Sequence, residues 1–338
     1  MQNRMNDRFS PEFIAELKGK VSLVEVAQRD EPELRRKGSV WVSAHQVSGH
    51  GSEGGECLHI DDKKGLWLWH CFHCDQKGDV IDWIIQHHNM DFVEAIEWLC
   101  LEFGIEMPDE SPEKRQARQE RGKERKRVRA VMQDAFCFYH SQLRPQDRQY
   151  LKGRGISDQT MDELLIGYAP TGGCTLRSHF KEQYTESDLL STGLLNKTQK
   201  GIFDHYQDRV VFPYWVGNDI VYSIGRLPTD DKAEIEKRHP ADRAKYKKHL
   251  ISNQGRPYVS CLAVEHVIYG QDSIWAKKQI IVTEGVVDAI LAVQEGWACL
   301  SPTTIQPNRD QMAQLVKLTQ PAETVIVIND NDRLSRLS

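Results

Sequence analysis

The chain has 338 residues, enough for two or three domains, and its 39% hydrophobic and 28% charged residues are typical of a globular protein. No window approaches the roughly 20 apolar residues of a membrane span, and the polar start MQNRMNDRFS lacks a signal-peptide core, so we expect a cytoplasmic protein without membrane contact. Most of the eight cysteines are scattered, which favours buried thiols over disulfides, and the net charge of −5 does not by itself indicate a nucleic-acid binder.

Helical periodicity, strand-like runs and charge divide the chain into five segments. We predict an N-terminal extension (1–19), a first domain (20–108), a charged linker (109–130), the first part of a second domain (131–275) and a final α/β unit (276–338). The first domain reads as a short apolar helix pattern from Val21, strand-like runs such as 39–43, and two helices separated by a break at 87–90. Gly104 and Pro108 end the second of these helices.

The linker reads DESPEKRQARQERGKERKRVR (109–129) and is almost entirely charged or polar. A charge run of this kind is more typical of a solvated helical spacer than of a nucleic-acid contact. A tether between two modules on one nucleic acid would combine both roles.

Strands and helices alternate in the second half of the chain. Residues 130–169 read as helical, Arg209 to Arg226 as a strand pair with a turn at 216–219, and 230–248 as a charged loop with some helix. From Lys278 the runs QIIVTE, VVDAILAVQEG, WACLSP, DQMAQLVKLT and ETVIVIND read as strand, helix, strand, helix, strand. This order predicts a parallel α/β sheet with continuous apolar strands, so the fold class is α+β and α/β multidomain.

The stretch HCFHCDQKGD (70–79) carries the most specific chemical signal. Its Cys71 and Cys74 form a C-x2-C pair, half of a tetrahedral zinc site, and dense histidines in a cytosolic setting favour a metal over two cysteines packed in a hairpin. The upstream loop offers the other half, and its glycines let the backbone fold tightly around a metal. We predict four ligands to a structural Zn²⁺, with Cys57 in reserve: His45, His50, Cys71 and Cys74.

Carboxylates follow two strands of the α/β unit. Glu284 ends one strand, Gly285 makes the turn and Asp288 lies on the next helix, while Asp330 and Asp332 end a later strand. The carboxyl ends of parallel strands form the crevice where α/β sheets bind ligands, and clustered carboxylates suit Mg²⁺ or Mn²⁺ and, through the metal, phosphate. Asp288 could alternatively only stabilise the helix N-terminus.

These motifs resemble a known family. The stretch WHCFHCDQKGDVIDWI (69–84) is similar to the second knuckle of the Cys-His-Cys-Cys zinc ribbon of bacterial and phage DNA primases of the DnaG type. Their first knuckle is Cys-Pro-x-His, where this chain has AHQVSGH with His45 at the cysteine position. YLKGRGISDQTMDELLIGYAP (150–170) is similar to the start of the primase catalytic core. The Glu-Gly and Asp-x-Asp pairs resemble the toprim domain, with DNDRLS (330–335) in place of DGDRAG.

The resemblance implies a primase that synthesises short RNA primers on single-stranded DNA from nucleoside triphosphates, with a replicative helicase as a possible partner. It implies that Asp330 and Asp332 hold Mg²⁺ or Mn²⁺, that Glu284 binds metal or assists proton transfer, and that Asp288 lies behind them. It also implies four phosphate-binding side chains: Arg154, Arg209, Arg226 and Lys245.

Two other functions stay open. The same carboxylates could serve a toprim metal-dependent nuclease or strand-passage enzyme, or the chain could be a catalytically inactive zinc-dependent nucleic-acid-binding protein. Because the α/β unit stops soon after Asp332, we expect either a truncated chain or a reduced relative, for example from a phage, plasmid or other mobile element.

Overall fold

The computed structural model describes residues 9–45, 56–63, 65–73, 75–88, 90, 92–108, 112–217, 219–238, 242–253, 256–257, 267–274, 277–304 and 306–329. The helices are α1 (Pro11–Lys20), α2 (Leu23–Asp30), α3 (Val80–His87), α4 (Phe92–Glu102), α5 (Pro112–Ser141), α6 (Pro145–Lys152), α7 (Asp158–Glu163), α8 (Thr175–Phe180), α9 (Glu186–Ser191), α10 (Lys232–Glu236), α11 (Val286–Gln294) and α12 (Arg309–Thr319). Across these described ranges, no helix combines the length and apolar character needed to cross a membrane.

The strands are β1 (Arg35–Lys37), β2 (Val40–Ser43), β3 (Leu58–Lys63), β4 (Leu66–Cys71), β5 (Lys77–Gly78), β6 (Gly167–Ala169), β7 (Leu195–Thr198), β8 (Gly201–Asp204), β9 (Arg209–Val216), β10 (Asp219–Arg226), β11 (Tyr246–Lys248), β12 (Ser252–Asn253), β13 (Arg256–Pro257), β14 (Gln279–Thr283), β15 (Cys299–Leu300) and β16 (Thr324–Ile328). They form three larger sheets and two short hairpins.

The first domain is an antiparallel sheet in the order β1-β2-β3-β4-β5, covered by helices. Alternation along β4 turns Trp69 and Cys71 into the core, where Trp69 meets Trp83 of α3 edge to face at 5.2 Å. The helix α1 buries Phe13 and Leu17 in this same core, so the segment predicted as an extension contributes structure to the domain.

The charged linker and the first helix of the second domain form one helix, α5. From Val128 onward its buried residues recur at helical spacing and join the core of the second domain; they are Val128, Val131, Met132, Ala135, Phe136 and Tyr139. Upstream of Val128 the sequence offers no comparable apolar stripe, and that part of α5 is largely exposed.

The second domain is built on an antiparallel sheet in the order β11-β10-β9-β6. Its centre is the hairpin of β9 and β10, which confirms the predicted strand pair and its turn. Both strands are almost wholly buried, which explains why RVVFPYW and DIVYSIGR are apolar on both faces.

The final unit has parallel strands in the order β15-β14-β16, with α11 and α12 as the crossovers. The predicted alternation of strands and helices is therefore confirmed. In the register of the two longer strands, Thr283 lies opposite Ile328, so the carboxyl ends of β14 and β16 reach the same edge.

Candidate metal and nucleic-acid sites

Cys71 lies at the start of a tight turn between β4 and β5. The Asp75 amide donates to the Cys71 carbonyl at 2.9 Å, and the Cys71 amide donates to the Gln76 carbonyl at 2.8 Å. Asp75 has a positive φ of 57°, which lets the chain reverse. This turn has the form of a zinc knuckle, although Cys74 lies outside the described residues.

The upstream loop ends against this turn. The Phe72 amide donates to the Cys57 carbonyl at 2.8 Å, and the Cys57 thiol donates to the Ala44 carbonyl at 3.0 Å. Both ends of the loop that contains His50 are thus held next to Cys71, but His50 itself lies outside the described residues. Among the described residues no three His, Cys, Asp or Glu side chains gather into a metal site.

His45 is buried with a positive φ of 56° and lies beside Trp69 and Trp83. Its Nε2 lies 2.9 Å from Nε2 of His87, a residue that the sequence predicted only as part of a helix break. The Nδ1 of His87 lies 2.9 Å from the Trp83 carbonyl, so Nδ1 carries the proton and Nε2 accepts from His45. Burial lowers the pKa of His87 to about 4.

The predicted acidic edge is the edge of the parallel sheet at the carboxyl ends of β14 and β16. It begins at Glu284, where β14 ends. Glu284 follows the last residue of β14, and the Ser301 hydroxyl fixes its backbone by donating to the Glu284 carbonyl at 3.1 Å. The register of β14 with β16 places Glu284 beside Asn329. Asp330 and Asp332 continue the chain from there but lie outside the described residues.

Gly285 and the Asp288 side chain approach each other closely at this edge. A Cβ added to Gly285 would lie 2.4 Å from Oδ2 of Asp288, on the first turn of α11. The Asp288 carboxylate therefore folds back over the strand-helix turn, toward the edge that carries Glu284.

Three of the four predicted phosphate-binding side chains meet at one carboxylate. Asp230, in the segment after β10, accepts from Arg226 Nη2 at 2.8 Å and from Arg154 Nη1 at 2.8 Å, and Lys245 Nζ lies 3.2 Å away. These cations come from the turn after α6, the end of β10 and the residue before β11. We call Arg154, Arg226, Lys245 and Asp230 the basic cluster.

Two tyrosines flank the basic cluster. The Arg226 guanidinium lies 5.2 Å from the ring centroid of Tyr150 and 5.6 Å from that of Tyr246, and its Nε donates to the Tyr246 hydroxyl at 3.2 Å. Its Nη1 donates to the Leu227 carbonyl at 3.2 Å, and its side chain has no exposed surface. Aromatic faces and a carbonyl therefore hold this cation independently of Asp230.

Arg209 does not join the basic cluster. It is buried, and its guanidinium donates to the carbonyls of Asp242, Ala244 and Lys245 at 3.0, 2.9 and 3.3 Å. Arg209 thereby fixes the backbone that carries Lys245.

A glutamine links the basic cluster to the acidic edge. Gln294 on α11 accepts from the Ser157 amide at 2.8 Å and donates to the Gly155 carbonyl at 3.0 Å. The turn that carries Arg154 is therefore bound to the helix that starts after Glu284 and Gly285. Sequence reasoning missed Gln294, Asp230 and the two tyrosines, because each acts through contacts distant in sequence.

Comparisons with known proteins cover both halves of the chain. A family model of the CHC2 zinc finger matches residues 9–115, and one of the N-terminal domain of the DNA primase catalytic core matches residues 138–235. DNA primase of Haemophilus influenzae is 26% identical over 276 residues, which cover 80% of this chain and 44% of that protein. DNA primase of Pasteurella multocida is 25% identical over 332 residues, or 96% of this chain and 53% of that protein.

The fold has a counterpart among solved structures. The crystal structure of the zinc-binding and RNA polymerase domains of Aquifex aeolicus primase matches with a TM-score of 0.51 at 21% identity, covering 96% of this chain and 73% of that chain. This chain spans about half the length of the primases that it matches in sequence.

Proposed function

We propose that this chain synthesises short RNA primers on single-stranded DNA by metal-dependent nucleotidyl transfer, because it matches the family models of the CHC2 zinc finger and of the N-terminal domain of the DNA primase catalytic core. The observation that supports this most is the convergence of Arg154, Arg226 and Lys245 at one carboxylate, with the turn that carries Arg154 bound to the helix that follows Glu284. Primer synthesis needs cations for phosphates beside carboxylates for metal ions, and this arrangement supplies both.

The carboxylates of the acidic edge would hold Mg²⁺ or Mn²⁺. Glu284 follows β14, whose carboxyl end shares an edge with that of β16, and Asp330 comes two residues after β16 in the sequence; carboxylate oxygens are the hard donors that fit those ions. When bound, the metal stabilises the negative charge that develops on phosphate during displacement. Glu284 would bind the metal or take the proton from the attacking 3′-hydroxyl, and Asp288 would orient Glu284 from behind.

The basic cluster would bind phosphates of the triphosphate and of the template backbone. Guanidinium groups donate two parallel hydrogen bonds to phosphate, while lysine acts as a point charge. Arg209 would act indirectly in this scheme, by holding the backbone that presents Lys245.

The first domain would bind template through a structural zinc ribbon. Cys71, Cys74, His45 and His50 remain the proposed ligands, with Cys57 in reserve because its thiol lies at the base of the same loop. The knuckle-like turn at Cys71 fits Zn²⁺, which favours four nitrogen and sulfur ligands. We propose a replicative helicase as a partner of the assembled enzyme.

Incorporation of labelled ribonucleotides on single-stranded DNA with Mg²⁺ or Mn²⁺ tests this function. We expect RNA products from the wild type and at least a hundredfold less from Glu284→Ala, because one metal-binding or proton-accepting group is lost. Glu323→Ala is the matched control, since Glu323 precedes β16 at the opposite end of the same sheet and forms only an exposed pair with Lys278. Equal activity of the two variants would show that the acidic edge is not the reaction centre.

A further inference from the structure

Asp230 holds an unusual position for an acidic residue in a site for phosphate. Counting only the four groups of the basic cluster, three cations face one carboxylate, which leaves a surplus of two positive charges. Both oxygens of Asp230 lie within 3.0 Å of Arg226 Nη2. The carboxylate thus takes the place that a phosphate would occupy between the same donors.

Arg226, the ring-facing side of Arg154 and the backbone of Lys245 have contacts other than Asp230. Arg226 is held by Tyr246 and by the Leu227 carbonyl, and Arg154 lies over Tyr150 at 5.8 Å. The backbone of Lys245 is fixed by Arg209 and by the Leu227 amide, which donates to its carbonyl at 3.0 Å. Removal of the carboxylate would therefore leave a preorganised anion site rather than a collapsed one.

Asp230 lies on the solvent-exposed side of the basic cluster. Its side chain is 46% exposed, whereas that of Arg226 is fully buried. The residue precedes α10, a short helix that buries none of its residues, so this segment packs only lightly against the domain. A small displacement of this segment would withdraw the carboxylate and leave the three cations in position.

We propose that Asp230 is a built-in competitor for phosphate, which occupies the basic cluster in the free protein and is displaced by a phosphate group of the template or of a nucleoside triphosphate. The inference rests on the proposed function, because that function brings phosphates to this cluster. A triphosphate carries more charge and more acceptor oxygens than a carboxylate, and a strand of template presents several phosphodiester groups in succession, so either can replace Asp230 between these donors.

Competition by Asp230 does not depend on its protonation near neutral pH. Burial opposes ionisation, but the hydrogen bonds from Arg226 and Lys245 prevail and lower the pKa of Asp230 to about 2. The carboxylate therefore stays charged in neutral buffers, and exchange with phosphate requires its movement. Competition by the Asp230 carboxylate would weaken the binding of nucleic acid and let the enzyme release template and product.

The test compares Asp230→Asn with the wild type in binding of a fluorescein-labelled 20-nucleotide oligo(dT) and, separately, of ATP. Loss of the competitor is expected to tighten binding about fivefold near 0.1 M salt. If the freed cation pairs with one backbone phosphate, the slope of log K against log salt for the oligonucleotide should steepen by about 0.7. A gain for only one probe identifies which phosphate displaces Asp230.

Two further variants separate this role from general electrostatics. Asp230→Glu keeps a carboxylate and should bind like the wild type, whereas Glu234→Gln removes the same charge from exposed α10 without touching the cluster and should change affinity less than twofold. Equal gains from Asp230→Asn and Glu234→Gln would refute the proposal. Weaker binding by Asp230→Asn would also refute it, since the carboxylate would then be an organiser of the site.

The outcome is separable from that of the primase proposal. If the chain makes no primers but its Asp230→Asn variant binds oligo(dT) more tightly, the role of Asp230 as a competitor stands and the proposed function fails. If the chain makes primers but Asp230→Asn leaves the affinities for oligo(dT) and ATP unchanged, the proposed function stands and the role of Asp230 as a competitor fails.

Discussion

Asp272 offers a pH-dependent test of how the two domains meet. Its carboxylate accepts from the Gly217 amide at 2.9 Å, in the turn between β9 and β10. A Cβ added to Gly217 would lie 3.2 Å from Cε1 of His88, so this turn also contacts the first domain. Burial raises the pKa of Asp272 from 3.8 to about 7.

The sign of the effect follows from this rise in pKa. Between about pH 4 and pH 7 the folded protein binds the Asp272 proton more tightly than the unfolded chain does, so its contribution to stability falls as pH increases. A shift of about three units corresponds to about 4 kcal/mol. Because Asp272 retains some exposure, we expect about 2 kcal/mol after solvent screening.

The substitution Asp272→Asn removes the ionisation and keeps an oxygen for the Gly217 amide. We expect the variant to exceed the wild type in free energy of unfolding by about 2 kcal/mol at pH 8 and to match it near pH 4. Urea unfolding followed by tryptophan fluorescence at pH 4, 5, 6, 7 and 8 measures the difference. An identical difference at all five values would refute the reasoning, as would a variant less stable at pH 8.

The remaining predictions concern the acidic edge, the hydrogen bonds by which Arg209 holds the backbone of Lys245, and the proposed zinc ligand Cys71. Gly285→Ala should lower primer synthesis while costing less than about 1 kcal/mol of stability, because its Cβ would push aside the Asp288 carboxylate, which can rotate away. Gly19→Ala, which meets no atom within 4 Å, should leave synthesis unchanged in the same assays. Arg209→Ala should lower the free energy of unfolding by about 2 kcal/mol in urea and weaken oligo(dT) binding, since it leaves buried carbonyls without their donor. Cys71→Ser should lower the zinc-to-protein ratio measured by atomic emission, and an unchanged ratio would exclude Cys71 as a ligand.

Local patterns predicted the sheets well because their signals are short in range. The continuous apolar runs of β14 and β16 and the helices between them mark a parallel sheet, and the glycine turn after Glu284 marks the carboxyl end of β14. The boundary at the linker was not predictable in the same way. Charged and core-forming turns share one helix, α5, and only the onset of periodic burial at Val128 separates them.

The candidate sites were predicted in part for a related reason. Motifs identified Arg154, Arg226 and Lys245, but Asp230 reads as one acid among many in a charged loop. Its role depends on contacts across up to 76 positions in the chain. Arg209 shows the converse, since its motif position suggested phosphate while its guanidinium binds backbone carbonyls.

The most direct test of the primase assignment is retention of the γ-phosphate during synthesis. Full-length protein would be incubated with unlabelled single-stranded DNA, Mg²⁺ or Mn²⁺, and nucleoside triphosphates labelled either at the α- or at the γ-phosphate. De novo primer synthesis predicts short RNA, complementary to the template, that retains γ-label only on its first nucleotide, with the template left intact. Cleaved template without labelled RNA would instead identify a nuclease, and bound but unreacted template would identify a binding protein.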